Sequence, residues 1–506
     1  MSGLPPSVRP PSPDRLREIA AKHYLELSDE EVAQFRDVIE QTLEVHEWLD
    51  EMHPRQSRAS HTTRDPGYKP RASEDPGNAY VTKCDVEGAT DGPLSGYSIG
   101  LKDNIAVRGV ELTCGSKLLE GYVPSTDATV VHRLLDAGGT ITAKLNMTEF
   151  GVSHLSATGP ISNPRDENYH AGSSSAGPAA AVVNGDVDVA LGTDGGGSIR
   201  VPSAWSGCVG HHPTYGLVPS EGVVGGNAGT LSCVGPLARS VRDCALALEV
   251  IADDHRRRRS VPTEFTNPTD VLDEGVDDVT IGVVEEGFAE ADPSIEEATR
   301  DAIDTLSDEG ASVAELSIPW HSDAWYVQVA LMIEETAGRV RTEYVGHGTK
   351  GHYDVQLADA FGRARRAQAD DLPARLKFSV LMGQYLADEY YGRYYAKAQN
   401  LRSEVTEAYR DALADVDVLA MPTTPKPAGE ISETEARIEQ QSLKPVIYSN
   451  TKPFNATGHP ATSVPCSSTT DDLPVGLMLV GARFDDATPL RVAHAYQRAS
   501  EHGFGG

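Results

Sequence analysis

The chain has 506 residues, 39% of them apolar, and 75 acidic against 44 basic side chains leave a formal net charge of −31. Acid spread along the whole length, rather than gathered in one tail, makes a solvated exterior suited to a halophilic cytosol and argues against direct contact with nucleic acid or an anionic membrane. No apolar run approaches a membrane span and no secretory signal stands at the start; six scattered cysteines (Cys84, Cys114, Cys208, Cys233, Cys244, Cys466) lack zinc-site spacing, so a cytoplasmic protein with reduced thiols is expected.

Residues 1–75 read as an appendage, a helical arm followed by a crossing loop. Ser12-Pro13 opens a first helix with Leu16, Ile19 and Ala20 on one face. Ser28-Asp29-Glu30-Glu31 is a capping box, and behind it Val32, Phe35, Val38, Ile39, Leu43, Val45 and Leu49 recur at helical spacing, which predicts one amphipathic helix to about Met52. His53–Asn78, rich in Pro, Arg, Ser and Gly, reads as an extended loop.

From residue 76 onward strands and helices alternate. Asp127 caps a helix over Ala128–Ala137 that Gly138-Gly139 ends, and Thr140–Leu145 is the next strand. Val187–Leu191 is a short apolar strand, Ser240 caps Val241–Ala252, and Val279–Val284, Pro293–Leu306 and Ala311–Ile318 read as strand, helix and strand. The stretch from about Trp320 to Gln440 is helical and carries aromatics (Trp325, Tyr326, Phe361, Phe378, Tyr385, Tyr390, Tyr391, Tyr394, Tyr395), each of which reads as pocket wall or plain helix packing. Strands return at Val416–Ala420 and Pro474–Val480, and Pro489–Ala499 closes the chain as a helix. The pattern implies an α/β fold, a central mixed β-sheet covered by helices.

Two clusters in Ala171–Arg200 are suited to chemistry. Gly172-Ser173-Ser174-Ser175-Ala176-Gly177 is a turn packed with hydroxyls, and Gly195-Gly196-Gly197-Ser198 follows the apolar strand. Adjacent glycines let backbone N–H groups converge on an anion, and a serine at the end of such a nest is placed to attack a carbonyl whose oxyanion they would hold. The stretch has no histidine or acid pair arranged as a base. A lysine kept neutral by burial is the alternative, and Lys102 stands at the end of the short strand beginning at Tyr97, although on spacing alone such a lysine is far more often a surface residue than a base.

Gly100-Leu101-Lys102-Asp103-Asn104, AGSSSAGPAA and GTDGGGSIRVP, in that order and at these separations, closely resemble the amidase signature family of Ser-Ser-Lys hydrolases. The likeness continues through Pro213–Val218, Val234–Arg239, Met421–Pro425, Gly458–Ala461 and Leu473–Leu479. RPPSP, NGDVD, HPTYGLVPS, NTKPFNATGHPA and GLMLVGARFDDAT are closest in pattern to the enantioselective and nitrile-pathway amidases of that family. The resemblance implies helices on both faces of the sheet in one amidase domain over 76–506, with the variable helical region, about 320–440, lining the acyl pocket. It makes Ser198 the nucleophile, Ser174 the bridging serine after an unusual cis peptide, and Lys102 the neutral base and returning acid. The N–H groups of Gly195, Gly196, Gly197 and Ser198 would form the oxyanion hole, Ser175 would hold Lys102, and Thr193, Asp194 and Arg200 would fix the loop. No cofactor and no metal is called for.

The chain departs from the pattern at Ser173, Ala176, Pro178, His211 and His212, none of them a catalytic position. The first reading is a stand-alone amidase that hydrolyses a small carboxamide to acid and ammonia through an acyl-enzyme, as a homodimer with its arm in the interface. The alternative is the glutamine-hydrolysing A subunit of a glutamyl- or aspartyl-tRNA amidotransferase. That subunit generally lacks so long an arm and carries G-R-V-S-R-Y-G where this chain has Gly216-Leu217-Val218-Pro219-Ser220-Glu221-Gly222. A catalytically dead scaffold or phosphate binder ranks last, since no GxxxxGK[ST] surrounds Ser198.

Overall fold

The computed structural model describes residues 8–52, 63–225, 229–253, 261–262, 265–346, 353–432, 438 and 446–500. It divides into two units, 1–58 and 59–506. In the first, Ser12 accepts the Arg15 N–H and starts α1 (Pro13–Lys22), and the expected capping box forms, with Ser28 and Glu31 bonding each other's backbone at the start of α2 (Asp29–Thr42). The single helix expected to Met52 is instead two. Leu43 ends α2, Thr42 Oγ1 bonds back to Val38 O at 2.8 Å, and α3 (Glu44–Glu51) follows. Hydroxyl back-bonding of this kind competes with the helical ladder and bends it.

The second unit is built on one twelve-stranded mixed sheet. Its strands are β1 (Arg64–Tyr68), β2 (Tyr80–Val86), β3 (Ser98–Lys102), β4 (Thr140–Leu145), β5 (Val189–Asp194), β6 (Val209–His212), β7 (Cys233–Ala238), β8 (Thr280–Val284), β9 (Ser312–Leu316), β10 (Val418–Pro422), β11 (Ala461–Ser468) and β12 (Pro474–Val480). They lie in the order β1-β2-β4-β3-β5-β7-β6-β11-β12-β10-β8-β9. β3 pairs parallel with β4 and β5, and β8 with β9 and β10; the other pairings are antiparallel. Flanking helices are α4 (Thr129–Asp136), α5 (Ala176–Val183), α6 (Arg200–Ser206), α7 (Val241–Ile251), α8 (Pro268–Val271), α9 (Pro293–Asp308), α10 (Trp320–Arg341), α11 (Val355–Ala367), α12 (Ala374–Tyr390), α13 (Arg393–Ala412), α14 (Lys452–Thr457) and α15 (Ala487–Ala499).

Two local expectations change. Part of the segment read as a crossing loop is β1, which pairs with β2 at the sheet edge. Asp127 does not cap α4: its carboxylate accepts from the Arg108 N–H and pairs with Arg64 at 2.7 Å, a charged partner outcompeting the helix end.

What the sheet does for the site is set at its centre. Ile99 and Leu101 on β3 and Val189 and Leu191 on β5 are fully buried, each stabilising the fold by about 1.5–3 kcal/mol. Their pairing, Ile99 with Val189 and Leu101 with Leu191, fixes the register of the two parallel strands. Lys102, one residue on, is thereby brought to the end of β5 where Thr193 stands; a slip of one residue would turn it to the other face.

Candidate active site

Lys102 is completely buried. Its Nζ lies 2.7 Å from Ser174 Oγ, 3.1 Å from Thr193 O and 2.9 Å from Thr193 Oγ1. Burial pushes its ammonium down to about 7, against the pull of the Asp194 charge. A neutral amine has two N–H donors and one lone pair, which matches three contacts of which two are to Thr193 and the third is a hydroxyl able to donate. The Ser173–Ser174 peptide is cis.

The glycine loop is held from beneath by Asp194. Burial disfavours its charge, but the Arg200 charge and the hydrogen bonds of Arg200 and Asn455 hold the carboxyl well below the usual range. It accepts from the Gly197, Ile199 and Arg200 N–H groups and pairs with the Arg200 side chain at 3.0 Å, and Asn455 bonds both Asp194 and Arg200. Gln328 Nε2 donates to Gly195 O at 2.8 Å and Thr451 Oγ1 to Gly196 O at 2.9 Å. In a trans peptide the N–H points opposite to the C=O, so the Gly196 N–H faces away from Gln328. Gly197 has φ +120° and a Cβ there would stand 2.3 Å from Thr451 Oγ1, so glycine is required on both counts.

These groups meet at one cavity. Ser174 and Ser198 both line it, with Gly195, Gly196, Thr193 and Asn104. The wall facing the variable region comes from α10 (Met332, Thr336, Arg339) and α12 (Arg375, Ser379), with Phe150, Tyr448 and Lys452. The middle of the chain thus contributes α10 and α12 to the wall of this cavity, but none of the nine aromatics singled out there is among the lining side chains. Phe361 instead packs on Phe150 and Tyr344, while Tyr390 meets Tyr385 and Tyr394 edge-on.

The roles expected of Ser175, Thr193 and Gly197 need correction. Ser175 Oγ bonds the backbone of Thr193, not Lys102, so Thr193 is what holds the lysine, rather than bracing the loop as expected. The Gly197 N–H is taken by Asp194 at 2.6 Å, which leaves those of Gly195, Gly196 and Ser198 for an oxyanion. His211 and His212 stand away from the cavity wall: His211 bonds Thr462 and Asp486, and burial with the Arg200 charge holds His212 down to about 3, hence neutral. Sequence reasoning assigned no role to Lys452, Asn455 or Gln328. Lys452 is the sole Lys, Arg, Asp or Glu in Asn450–Ala461, and a lone charge in such a run was the available signal. Among the described residues no His/Cys/Asp/Glu group could hold a metal ion, and no helix is long and apolar enough to cross a membrane.

Comparison with known proteins gives a consistent picture. A family model described as amidase matches residues 78–490. The A subunit of the glutamyl-tRNA(Gln) amidotransferase of Haloarcula marismortui is 42% identical over 427 residues, spanning 83% of this chain and 99% of that protein. An enantioselective amidase of Rhodococcus rhodochrous is 35% identical over 517 aligned positions, spanning 99% of this chain and 97% of that protein. Among solved structures, the A subunit of the Thermotoga maritima glutamyl-tRNA(Gln) amidotransferase superposes with a TM-score of 0.71 at 30% identity, covering 85% of this chain and 89% of that one. The peptide amidase of Stenotrophomonas maltophilia superposes with a TM-score of 0.66 at 27% identity, covering 80% and 83%.

The expected homodimer acting on a small-molecule amide does not survive this comparison. Relatives named as one component of a multi-chain amidotransferase point to protein partners instead. Such a component presents its surface to unlike chains, and a net charge of −31 opposes the pairing of like ones. Model, relatives and solved structures agree on the chemistry, and on their agreement the chain belongs to the amidase signature family, an enzyme acting on amide carbon–nitrogen bonds.

Proposed function

We propose that this chain is the glutamine-hydrolysing component of an amidotransferase, releasing ammonia through a Ser198 acyl-enzyme. The observation that carries the chemistry is the buried contact of Lys102 with Ser174 beside a cavity that Ser198 shares. Neutral Lys102 takes the Ser174 proton as Ser174 takes that of Ser198, and Ser198 Oγ bonds to the amide carbon. The oxyanion is held by the N–H groups of Gly195, Gly196 and Ser198. Collapse of the adduct breaks the C–N bond, the relay returns the proton to the leaving nitrogen, and water then hydrolyses the ester by the same relay. Membership of an amidotransferase is supported by relatives 42%, 41% and 40% identical to this chain, which carry that name.

A second reading, a stand-alone amidase, is favoured by one observation: the Rhodococcus amidase aligns with 99% of this chain, the Haloarcula protein with 83%. Ammonia release from glutamine and from a panel of simple amides, with the purified chain alone and together with the host's remaining amidotransferase chains, separates the two. Glutamine turnover that needs those chains supports the first reading; turnover of simple amides by the chain alone, unchanged by them, supports the second. In either case the acidic exterior is suited to molar salt.

A further inference from the structure

Lys452 begins α14 and is 5% exposed. Its stem runs beside the oxyanion loop, since a Cβ placed on Gly196 would stand 3.9 Å from Lys452 Cγ. Its Nζ lies 5.4 Å from the centre of the Tyr448 ring and 5.9 Å from that of Trp325. Among the described residues it makes no hydrogen bond and no ion pair. The side chain reaches the cavity, whose described lining also holds Arg339 and Arg375 and contains no Asp or Glu. Burial, then repulsion from Arg375, act on its charge, and no carboxylate among the described residues offsets them.

A lysine buried without an acid is costly, and two aromatic faces offset only part of that cost. Such a group is stabilised when a bound anion supplies the missing charge. We propose that Lys452, with Arg375, forms an anion-binding subsite on the acyl side of the cavity, so that the amide hydrolysed carries a carboxylate on its acyl chain. The inference rests on the amide hydrolysis proposed above. It adds that an α-ammonium group, as in glutamine, meets no acidic partner in the described lining and contributes nothing to binding.

The test uses the full chain and ω-carbamoyl carboxylates of two to five carbons, each against the neutral amide of equal length, with glutamine as a further substrate. At least one carbamoyl carboxylate is expected to exceed its neutral match in kcat/KM by about tenfold or more, the scale of one charge-assisted hydrogen bond. Lys452→Met should erase that advantage through KM while leaving the neutral amide within about threefold, and Lys452→Arg should restore much of it. Calorimetric binding of the corresponding dicarboxylates to Ser198→Ala, with and without Lys452→Met, reads the subsite independently of turnover. Dicarboxylate binding lost with Lys452 supports the subsite even if no amide is turned over, an outcome that would instead defeat the hydrolytic reading. Turnover of a carbamoyl carboxylate but not of glutamine upholds the subsite and defeats the glutaminase reading. Neutral amides that match the carboxylates, or equal dicarboxylate binding with and without Lys452, overturn the proposal.

Discussion

The cavity has two sides, and each buries a lysine. Lys102 on the β3 side and Lys452 on the α14 side are both pushed down to about 7 by burial, yet their surroundings differ in kind. Lys102 has a full set of polar partners in Ser174 and Thr193, which suits a group that must keep its place while gaining and losing a proton. Lys452 has aromatic faces and a neighbouring guanidinium, which suits a group waiting for a partner. A depressed lysine pKa therefore does not identify a base; the acceptors around the nitrogen do.

The difference is largest in what each loss does to a neutral amide. Ser198→Ala should lower kcat by about 10⁶-fold, and Lys102→Met by about 10³–10⁴-fold, because the proposed relay works as a unit. Lys452→Met should leave the same reaction nearly untouched. Near-normal turnover in Ser198→Ala would defeat the mechanism, and an equal loss from both lysine variants would erase the distinction between the two sides.

Next in size is the support beneath the loop. Arg200 is fully buried, paired with Asp194 and bonded to Asn455. Arg200→Met leaves a carboxylate buried beside no arginine and should cost about 3–5 kcal/mol, read as a lower urea midpoint. A variant as stable as the parent would show that Asn455 and the backbone N–H groups suffice to hold Asp194.

The catalytic side was far more legible in the sequence than the acyl side. Lys102, Ser174 and Ser198 lie in short runs whose glycines and hydroxyls are demanded by backbone geometry, and the apolar strands that align them announce themselves by composition. Lys452 and Asn455 act across sequence separations of more than 250 residues, through α14 docking on the loop, and no local periodicity records such a contact. Asp127 shows the same limit from the other direction: its position reads as a cap, and only the tertiary arrival of Arg64 redirects it.

The pH profile separates the two lysines more finely. The proposed relay needs Lys102 neutral, so kcat/KM for a neutral amide should fall about tenfold per pH unit below about 7 and level off above it. Carboxylate recognition needs Lys452 charged. Facing it are Arg375, which stays cationic, and Trp325 and Tyr448, the phenol of the latter raised by burial and hence neutral. With a carboxylate-bearing amide kcat/KM should therefore also fall above about 7, giving a bell, and Lys452→Met should turn that bell into the single acid limb. The apparent values belong to coupled groups and not to single residues. A bell that persists in Lys452→Met would assign the alkaline limb elsewhere.

The smallest effect expected is that of salt on the cavity, and its contrast with the exterior is the point. Self-repulsion at −31 acts between exposed carboxylates, and salt shortens its range from about 10 Å at 0.1 M to about 3 Å at 1 M. The thermal midpoint should thus rise steadily with KCl. Lys452 is 5% exposed, and a carboxylate bound beside it is screened much less than a surface pair. Between 0.1 and 1 M KCl the KM for a carboxylate-bearing amide should change by less than about threefold while the midpoint climbs. Measuring both in one titration decides the matter. A KM that rises steeply with salt would place the anion near the surface, away from Lys452, and a flat midpoint would show that the acidic exterior is not under electrostatic strain.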